Sequence, residues 1–340
     1  MAENNSAAER FEQHLDIIQR FVCKAIVDEK GAGIVAELRP QIDQWIREAY
    51  GPVEKKIFVQ VNGGAKSEIK EEIPEIFDTV LNFVANNKAV YMVGPAGCGK
   101  SVLSEMIAKA LGKQFYESDA ITNSAQFDGF TDAMGRFHQT PFYHAYKNGG
   151  VFMLDEVDAS IPEVLTRLNA ALANGYHVFP EGLGSDMKTE EGGFIRKHKD
   201  FRVIAAGNTY GTGADYRYVG RNQLDMATLD RFVVIPVYYS PKIDRKLAEE
   251  DEELLFFCEE YRKLIDKFAL NAIFSYRSLS AIKTAEKFEK DTSKVLKWCL
   301  LKSMPTDDVR TLAYELDKFK ELNRYVKALC KIGKETQKGE

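Results

Sequence analysis

Gly94-Pro95-Ala96-Gly97-Cys98-Gly99-Lys100-Ser101 decides the fold of this chain. The octet fits G-x-x-x-x-G-K-[ST], a pattern in which glycines let successive backbone N–H groups turn towards an anion. What flanks it matters as much as the motif. Ala89-Val90-Tyr91-Met92-Val93 before it is a continuous apolar run of strand length. Val102, Leu103, Met106, Ile107 and Ala110 after it recur at helical spacing. Strand, glycine loop and helix in that order aim the positive end of a helix dipole at whatever the loop holds. The loop from Gly94 to Val102 is therefore expected to cradle phosphate. Lys100 would reach the β- and γ-phosphates of a nucleotide, and the Ser101 hydroxyl would hold Mg²⁺.

A second apolar run, Val151-Phe152-Met153-Leu154, ends in Asp155-Glu156. Strands often end in acids, so the pair is weak alone and gains weight from lying downstream of the glycine loop. Asp155 is expected in the Mg²⁺ shell and Glu156 beside the attacking water. Adjacent carboxylates suit hydrolysis, where one binds metal and the other polarises water. A transfer to a bound acceptor has less need of the second acid.

The chain has 340 residues, 45% apolar and 29% charged, with a net charge of −5. That is ordinary globular composition, long enough for two domains and an appendage. The acidic balance gives no global attraction to nucleic acid. Cys23, Cys98, Cys258, Cys299 and Cys330 are scattered and odd in number, without C-x-x-C, as expected of a reducing cytoplasm. His14, His138, His144, His177 and His198 have no metal-ligand spacing. No run approaches the roughly 18 apolar residues that span a membrane. The polar N-terminus does not read as a signal peptide.

Strand candidates at 89–93, 114–117, 151–154, 201–206 and 232–237 alternate with helical stretches. Such alternation implies an α/β fold: an αβα sandwich around a parallel sheet. After Pro241 the strand pattern stops. Leu254, Cys258, Tyr261, Leu264 and Phe268 follow helical spacing, as do Leu279, Ile282, Ala285 and Phe288. The expected organisation is a helical arm over 1–50, a strand and helix over 51–88, the core over 89–240, a small all-helical lid over 241–330, and a frayed lysine-rich tail over 331–340. Glycines separate the helices of the arm, which reads as lying outside the core.

Four further segments make the resemblance specific. Phe201-Arg202-Val203-Ile204-Ala205-Ala206 leads into Gly207-Asn208-Thr209. Leu229-Asp230-Arg231-Phe232 precedes another strand. Ser275-Tyr276-Arg277 starts a helix, where the dipole disfavours a cation. Tyr176-His177-Val178-Phe179 and Gly193-Phe194-Ile195 bracket a glycine-rich charged loop. With the glycine loop and the acidic pair, the chain resembles the AAA+ ATPases over about residues 75–290. Within them it is similar to the MoxR-like group, which includes the cobaltochelatase small subunit and dynein-related ATPases, and in flavour to those encoded by phages and prophages.

The resemblance implies ATP as the nucleotide, although the motifs do not exclude GTP. It implies Asn208 as sensor 1 beside Glu156, Arg231 as an arginine finger reaching a neighbour's γ-phosphate, and Arg277 as sensor 2. A delocalised fork suits charge spread over three phosphate oxygens. Otherwise Arg231 forms an intrachain pair with Asp225 or Asp230. Arg217 and Arg221 are its rivals or partners. A trans-acting arginine implies a homo-oligomer, and the family implies a hexameric ring. Phe127-Asp128-Gly129-Phe130 through Arg136-Phe137-His138 resembles the helix 2 insert; its aromatics either grip substrate in a pore or belong to the core. Arg196-Lys197-His198-Lys199 reads as a solvated charge run, with contact to substrate as the alternative. The expected work is remodelling of a protein or complex, with a nucleic-acid-dependent motor or loader in phage DNA metabolism as the alternative. A nucleotide-switched scaffold is a third reading.

Overall fold

The computed structural model describes residues 57–59, 67–69, 72–181, 193–302 and 304–335. The expected helical arm over 1–50 lies outside the described residues, as does the middle of the charged loop at 182–192. Among the described residues no helix is long and apolar enough to cross a membrane.

Strands β1 (Ile57–Val59) and β2 (Ser67–Ile69) form an antiparallel pair. The central sheet has five strands: β3 (Ala89–Val93), β4 (Phe115–Ser118), β7 (Gly150–Leu154), β10 (Phe201–Gly207) and β11 (Phe232–Pro236). Their spatial order is β11-β3-β10-β7-β4, and every pairing is parallel. Two short hairpins stand apart from it, β5 (Phe130–Thr131) with β6 (Phe137–His138) and β8 (Tyr176–Val178) with β9 (Phe194–Arg196).

Side chains alternate across the sheet, so each strand feeds two cores. Val90 and Met92 of β3 pack with Ile204 and Val151 against α1 (Phe77–Ala85) and α2 (Lys100–Ala110). Tyr91 and Val93 face the other way with Phe152, Leu154, Val203 and Ala205. There they meet α4 (Pro141–Asn148) and α5 (Pro162–Asn174). Both faces are dry, which is why these strands are unbroken apolar runs in sequence. Phe142 of α4 is fully buried, stacked on Phe127 of α3 (Ser124–Asp128) at 3.9 Å and edge-on to Phe152 at 5.3 Å. Phe142→Ala is expected to cost about 3–5 kcal/mol of stability. Chemical denaturation would measure it, and a loss under 1 kcal/mol would mean that this layer is loosely packed.

A short helix, α6 (Met226–Leu229), precedes β11, and six more follow it: α7 (Pro241–Leu247), α8 (Glu252–Lys267), α9 (Tyr276–Ala285), α10 (Thr292–Leu296), α11 (Thr306–Leu316) and α12 (Arg324–Glu335). The six that follow share a third core that includes Leu254, Phe257, Tyr261, Ile282, Leu312 and Leu329. Three of them open on side-chain caps: Asp251 accepts from Leu254 N, Ser275 from Ser278 N and Asp291 from Ser293 N.

Some expectations need correction. Phe268 and Phe288, assigned to apolar helix faces, are exposed at 36% and 72%. Phe268 is the C-cap of α8, and α9 stops at Ala285 before Phe288 can turn inward. Helix α12 runs on to Glu335, into the stretch expected to fray. Its Ile332 is buried and its Gly333 lies so close to α11 that a Cβ would stand 2.8 Å from the Ala313 methyl. Strand β4 begins one residue late, at Phe115.

Candidate functional site at the glycine loop

Gly94 follows β3 directly, and its N–H donates to the Gly207 carbonyl at 3.2 Å. A side chain there would collide with the Val237 carbonyl. Gly97 and Gly99 have φ of +69° and +92°, open only to glycine at low cost. Helix α2 then starts at Lys100. The lysine is only 8% exposed and its ammonium turns back into the loop. It donates to the carbonyls of Gly94 at 2.7 Å and Pro95 at 3.1 Å, and to Asn208 Oδ1 at 3.0 Å. Burial pulls its pKa below the ordinary lysine value. A cation held by carbonyls and an amide, with no anion among its hydrogen-bond partners, is poised for phosphate oxygens. Burial also raises the pKa of the Cys98 thiol, so it packs here as a neutral group.

The Ser101 hydroxyl donates to Asp155 Oδ2 at 3.0 Å, joining α2 to the end of β7. Glu117 on β4 stands beside them; burial and the Asp155 charge raise its pKa. Hydroxyl and carboxylate are hard oxygen donors of the kind Mg²⁺ takes, with phosphate completing the shell. Ser101 and Asp155 fit that ion. Among the described residues no cluster of three or more His, Cys, Asp or Glu offers a metal cage without substrate.

Glu156 has φ +49° and ψ 42°, the left-handed region, unusual for a residue with a side chain. Its carboxylate accepts from Arg221 Nη2 at 3.1 Å. That hydrogen bond, with the charges of Arg221, Lys100 and Arg277, holds its pKa below the usual carboxylate range. Asn208 Oδ1 accepts from Lys100, and its backbone N–H donates to Asp158 Oδ2 at 3.0 Å. No local sequence pattern marks Asp158. It is fully buried and also receives the Thr209 N–H and hydroxyl, each at 2.9 Å.

The helical unit reaches the loop directly. Tyr276 N donates to the Gly97 carbonyl at 3.2 Å. Arg277 is exposed on the first turn of α9, its Cδ 3.9 Å from where a Gly97 side chain would begin. The Ala96 peptide is held on both sides: its N–H donates to the Tyr218 hydroxyl and its carbonyl accepts from Tyr239, both at 3.0 Å. The Tyr239 ring carries the Arg262 guanidinium 3.8 Å from its centre. Arg262 in turn makes a two-pronged pair with Asp244 at 2.6 and 3.0 Å. A cleft of about 770 Å³, with Tyr210, Tyr218 and Tyr239 in its wall, separates this segment from α8.

The three candidate arginines separate cleanly. Arg217 binds the carbonyls of Ile265 and Leu270 and the Asp266 carboxylate, tying the core to α8. Arg221 pairs with Glu156. Arg231 is exposed and donates to the Ala227 carbonyl at 2.5 Å; among the described residues neither Asp225 nor Asp230 pairs with it. It precedes β11, whose Phe232 is in register with Ala89. It therefore stands at the end of the sheet opposite its own glycine loop.

The insert aromatics differ in burial. Phe127 is fully buried, whereas Phe130 is 48% exposed and stacks on His138 at 4.6 Å. Buried Asp128 accepts from Arg167 at 2.5 Å and bonds His177 at 2.7 Å, so insert, α5 and the β8–β9 hairpin form one piece. In the basic run, Lys197 is not simply solvated. Its ammonium donates to the Leu172 carbonyl near the end of α5, at 3.0 Å.

Residues 89–232 match the model of the AAA domain, dynein-related subfamily. The match runs from the start of β3 to the start of β11. Two uncharacterized proteins of Staphylococcus aureus, from strains NCTC 8325 / PS 47 and MRSA252, are each 29% identical over 220 residues, covering 59% of this chain and 78% of the relative. Among solved structures, NtrX from Brucella abortus in complex with ADP is 17% identical, with a TM-score of 0.39 over 63% of this chain and 45% of that one. NtrX in complex with ATP is 15% identical, with a TM-score of 0.40 over 89% and 74%. The chain thus spans about half the length of the first of these structures, and both likenesses are distant.

Proposed function

We propose that this protein hydrolyses ATP at interfaces between copies of itself in a hexameric ring, and uses the cycle to remodel a protein or protein complex. The observation that carries the reading is the convergence of Lys100, the Ser101–Asp155 pair and Glu156 on one glycine loop. Lys100 would exchange its carbonyl partners for phosphate oxygens. Mg²⁺ on Ser101 and Asp155 would neutralise charge on the phosphates. Glu156 would take the proton of the attacking water, and Asn208 would orient that water near the γ-phosphate. Arg277 would report phosphate state to the lid through α9. Arg231 stands at the end of the sheet opposite its own glycine loop and so would serve a neighbour's.

The dynein-related match supports a motor of this broad group, and a MoxR-like, phage-related branch is our finer assignment. A net charge of −5 supports a protein target over nucleic acid. Turnover stimulated by single- or double-stranded DNA would favour a nucleic-acid motor instead. Lys100→Ala is expected to weaken ATP binding by at least about 100-fold, since two charge-assisted phosphate contacts are lost. Calorimetry measures it, and unchanged affinity would end the assignment of the nucleotide site.

A further inference from the structure

We propose that Arg221 is a positioning residue for hydrolysis, acting within its own chain by fixing Glu156 against the buried carboxylate of Asp158. The proposal rests on Glu156 being the group that activates water. Three observations carry it.

The first is geometry. One guanidinium nitrogen of Arg221 lies 3.1 Å from Glu156 Oε1 and the other 3.6 Å from Asp158 Oδ1. A planar fork can serve two carboxylates at once, which an ammonium cannot do with the same fixed angle. Only 12% of the arginine side chain is exposed.

The second is electrostatic need. Asp158 is fully buried, and its Oδ1 has no hydrogen-bond partner. Its other oxygen is taken by Asn208 and Thr209. A buried carboxylate with a bare oxygen requires a nearby positive charge. Arg221 supplies it, and Lys100 adds a weaker contribution. Arg221 therefore cannot leave Asp158 cheaply, and Glu156 is tied to whatever Arg221 is tied to.

The third is backbone. Asn222, next in the chain, donates its N–H to the Asp158 carbonyl at 2.6 Å and its side-chain amide to the Ser160 carbonyl at 3.0 Å. Both the side chain of Arg221 and the main chain beside it are thus anchored on the segment that carries Glu156. Glu156 itself sits in a left-handed conformation, which must be held by its surroundings. The result is one rigid cluster. Asp158 fixes the Asn208 backbone through one oxygen and, through Arg221, the Glu156 carboxylate through the other. The water-activating acid and the end of β10 share a single buried reference point.

The test is steady-state and single-turnover ATP hydrolysis, with ATP affinity measured by calorimetry. Arg221→Lys keeps a charge near Asp158 and loses the fork. We expect kcat to fall by about 10²-fold, the scale of a reacting group misplaced by about 1 Å, with KM and ATP affinity within about threefold. Arg221→Ala combined with Asp158→Asn removes both charges together, guarding against a buried unpaired acid, and should show the same split. In a Glu156→Ala background, Arg221→Lys should change the residual rate by less than twofold, because its effect passes through Glu156. A normal kcat in both Arg221 variants would overturn the proposal. So would a further loss in the Glu156→Ala background, which would give Arg221 an independent role. If Glu156→Ala alone turns over normally, Glu156 is not the water-activating group and that assignment fails, whereas an inactive Glu156→Ala beside a normal Arg221→Lys overturns the positioning role alone.

Discussion

Glu156→Gln is expected to bind ATP and Mg²⁺ and yet turn over at least about 10³-fold more slowly. The amide keeps the shape of the side chain and an oxygen able to accept from Arg221, but it cannot take a proton from water, a role worth 10² to 10⁴ in rate. Ser101 and Asp155 are untouched, as is the lysine in the loop, so ground-state binding should survive. A second result follows by linkage. If bound ATP stabilises contacts between subunits, a variant that cannot discharge it should accumulate the assembled form. Phosphate release measures the first effect, and sedimentation with and without ATP the second. Turnover within tenfold of the parent protein would move the base elsewhere, and Glu117 would be the next carboxylate to examine, since it stands beside Asp155 and Ser101.

Much of this architecture was legible because parallel strands buried on both faces are written as contiguous apolar runs. The expected strand 89–93 coincides with β3, and 151–154 falls within β7. The loop was legible because its glycines and lysine are forced by phosphate chemistry at fixed spacing. What escaped depends on contacts far apart in the chain. Arg221 and Glu156 are separated by 65 positions, and no local pattern announces their pairing. Asp158 lies two residues past the acidic pair and resembles any polar residue after a strand; only its burial distinguishes it. The hydroxyls of Tyr218 and Tyr239 on the Ala96 peptide have the same character, with separations of 122 and 143. Phe268 and Phe288 were misplaced for the opposite reason. They continue a local period that the helices themselves do not complete.

Asn208 carries a contact that its position in the sequence does not announce. A polar amide after the β10 strand was expected near the hydrolytic water, and the fold brings it to the loop. Its nearest charged partner is Lys100, while Glu156 is held by Arg221. The lysine is therefore restrained by Asn208 and by two carbonyls, and phosphate has to displace some of those bonds to bind. On the proposed reading, an Asn208 amide freed from Lys100 would be at hand to orient the attacking water.

Arg231→Ala is expected to leave ATP binding almost intact and to reduce hydrolysis by about 10³-fold or more, the loss found where an arginine finger stabilises the transition state. The argument for action in trans is one of distance within the fold. Arg231 immediately precedes Phe232, which pairs with Ala89, whereas the glycine loop begins beyond Val93 at the other end of β3. Five strand residues separate the two ends, about 16 Å at the usual rise, more than an arginine side chain can cover. The residue is exposed and, among the described residues, its guanidinium bonds the Ala227 carbonyl, which leaves it available to a neighbour. Arg217 and Arg221 are engaged inside their own chain with Asp266 and with Glu156 and Asp158. The decisive experiment mixes Arg231→Ala protein with Glu156→Gln protein, each nearly inactive alone. Where subunits exchange, some interfaces join an intact Glu156 from one chain to an intact Arg231 from its neighbour, and turnover should return at those interfaces. Recovery that scales with the statistical frequency of such interfaces places the two residues in one site on different chains. Arg231→Ala protein that hydrolyses ATP at the parent rate would remove the residue from catalysis altogether.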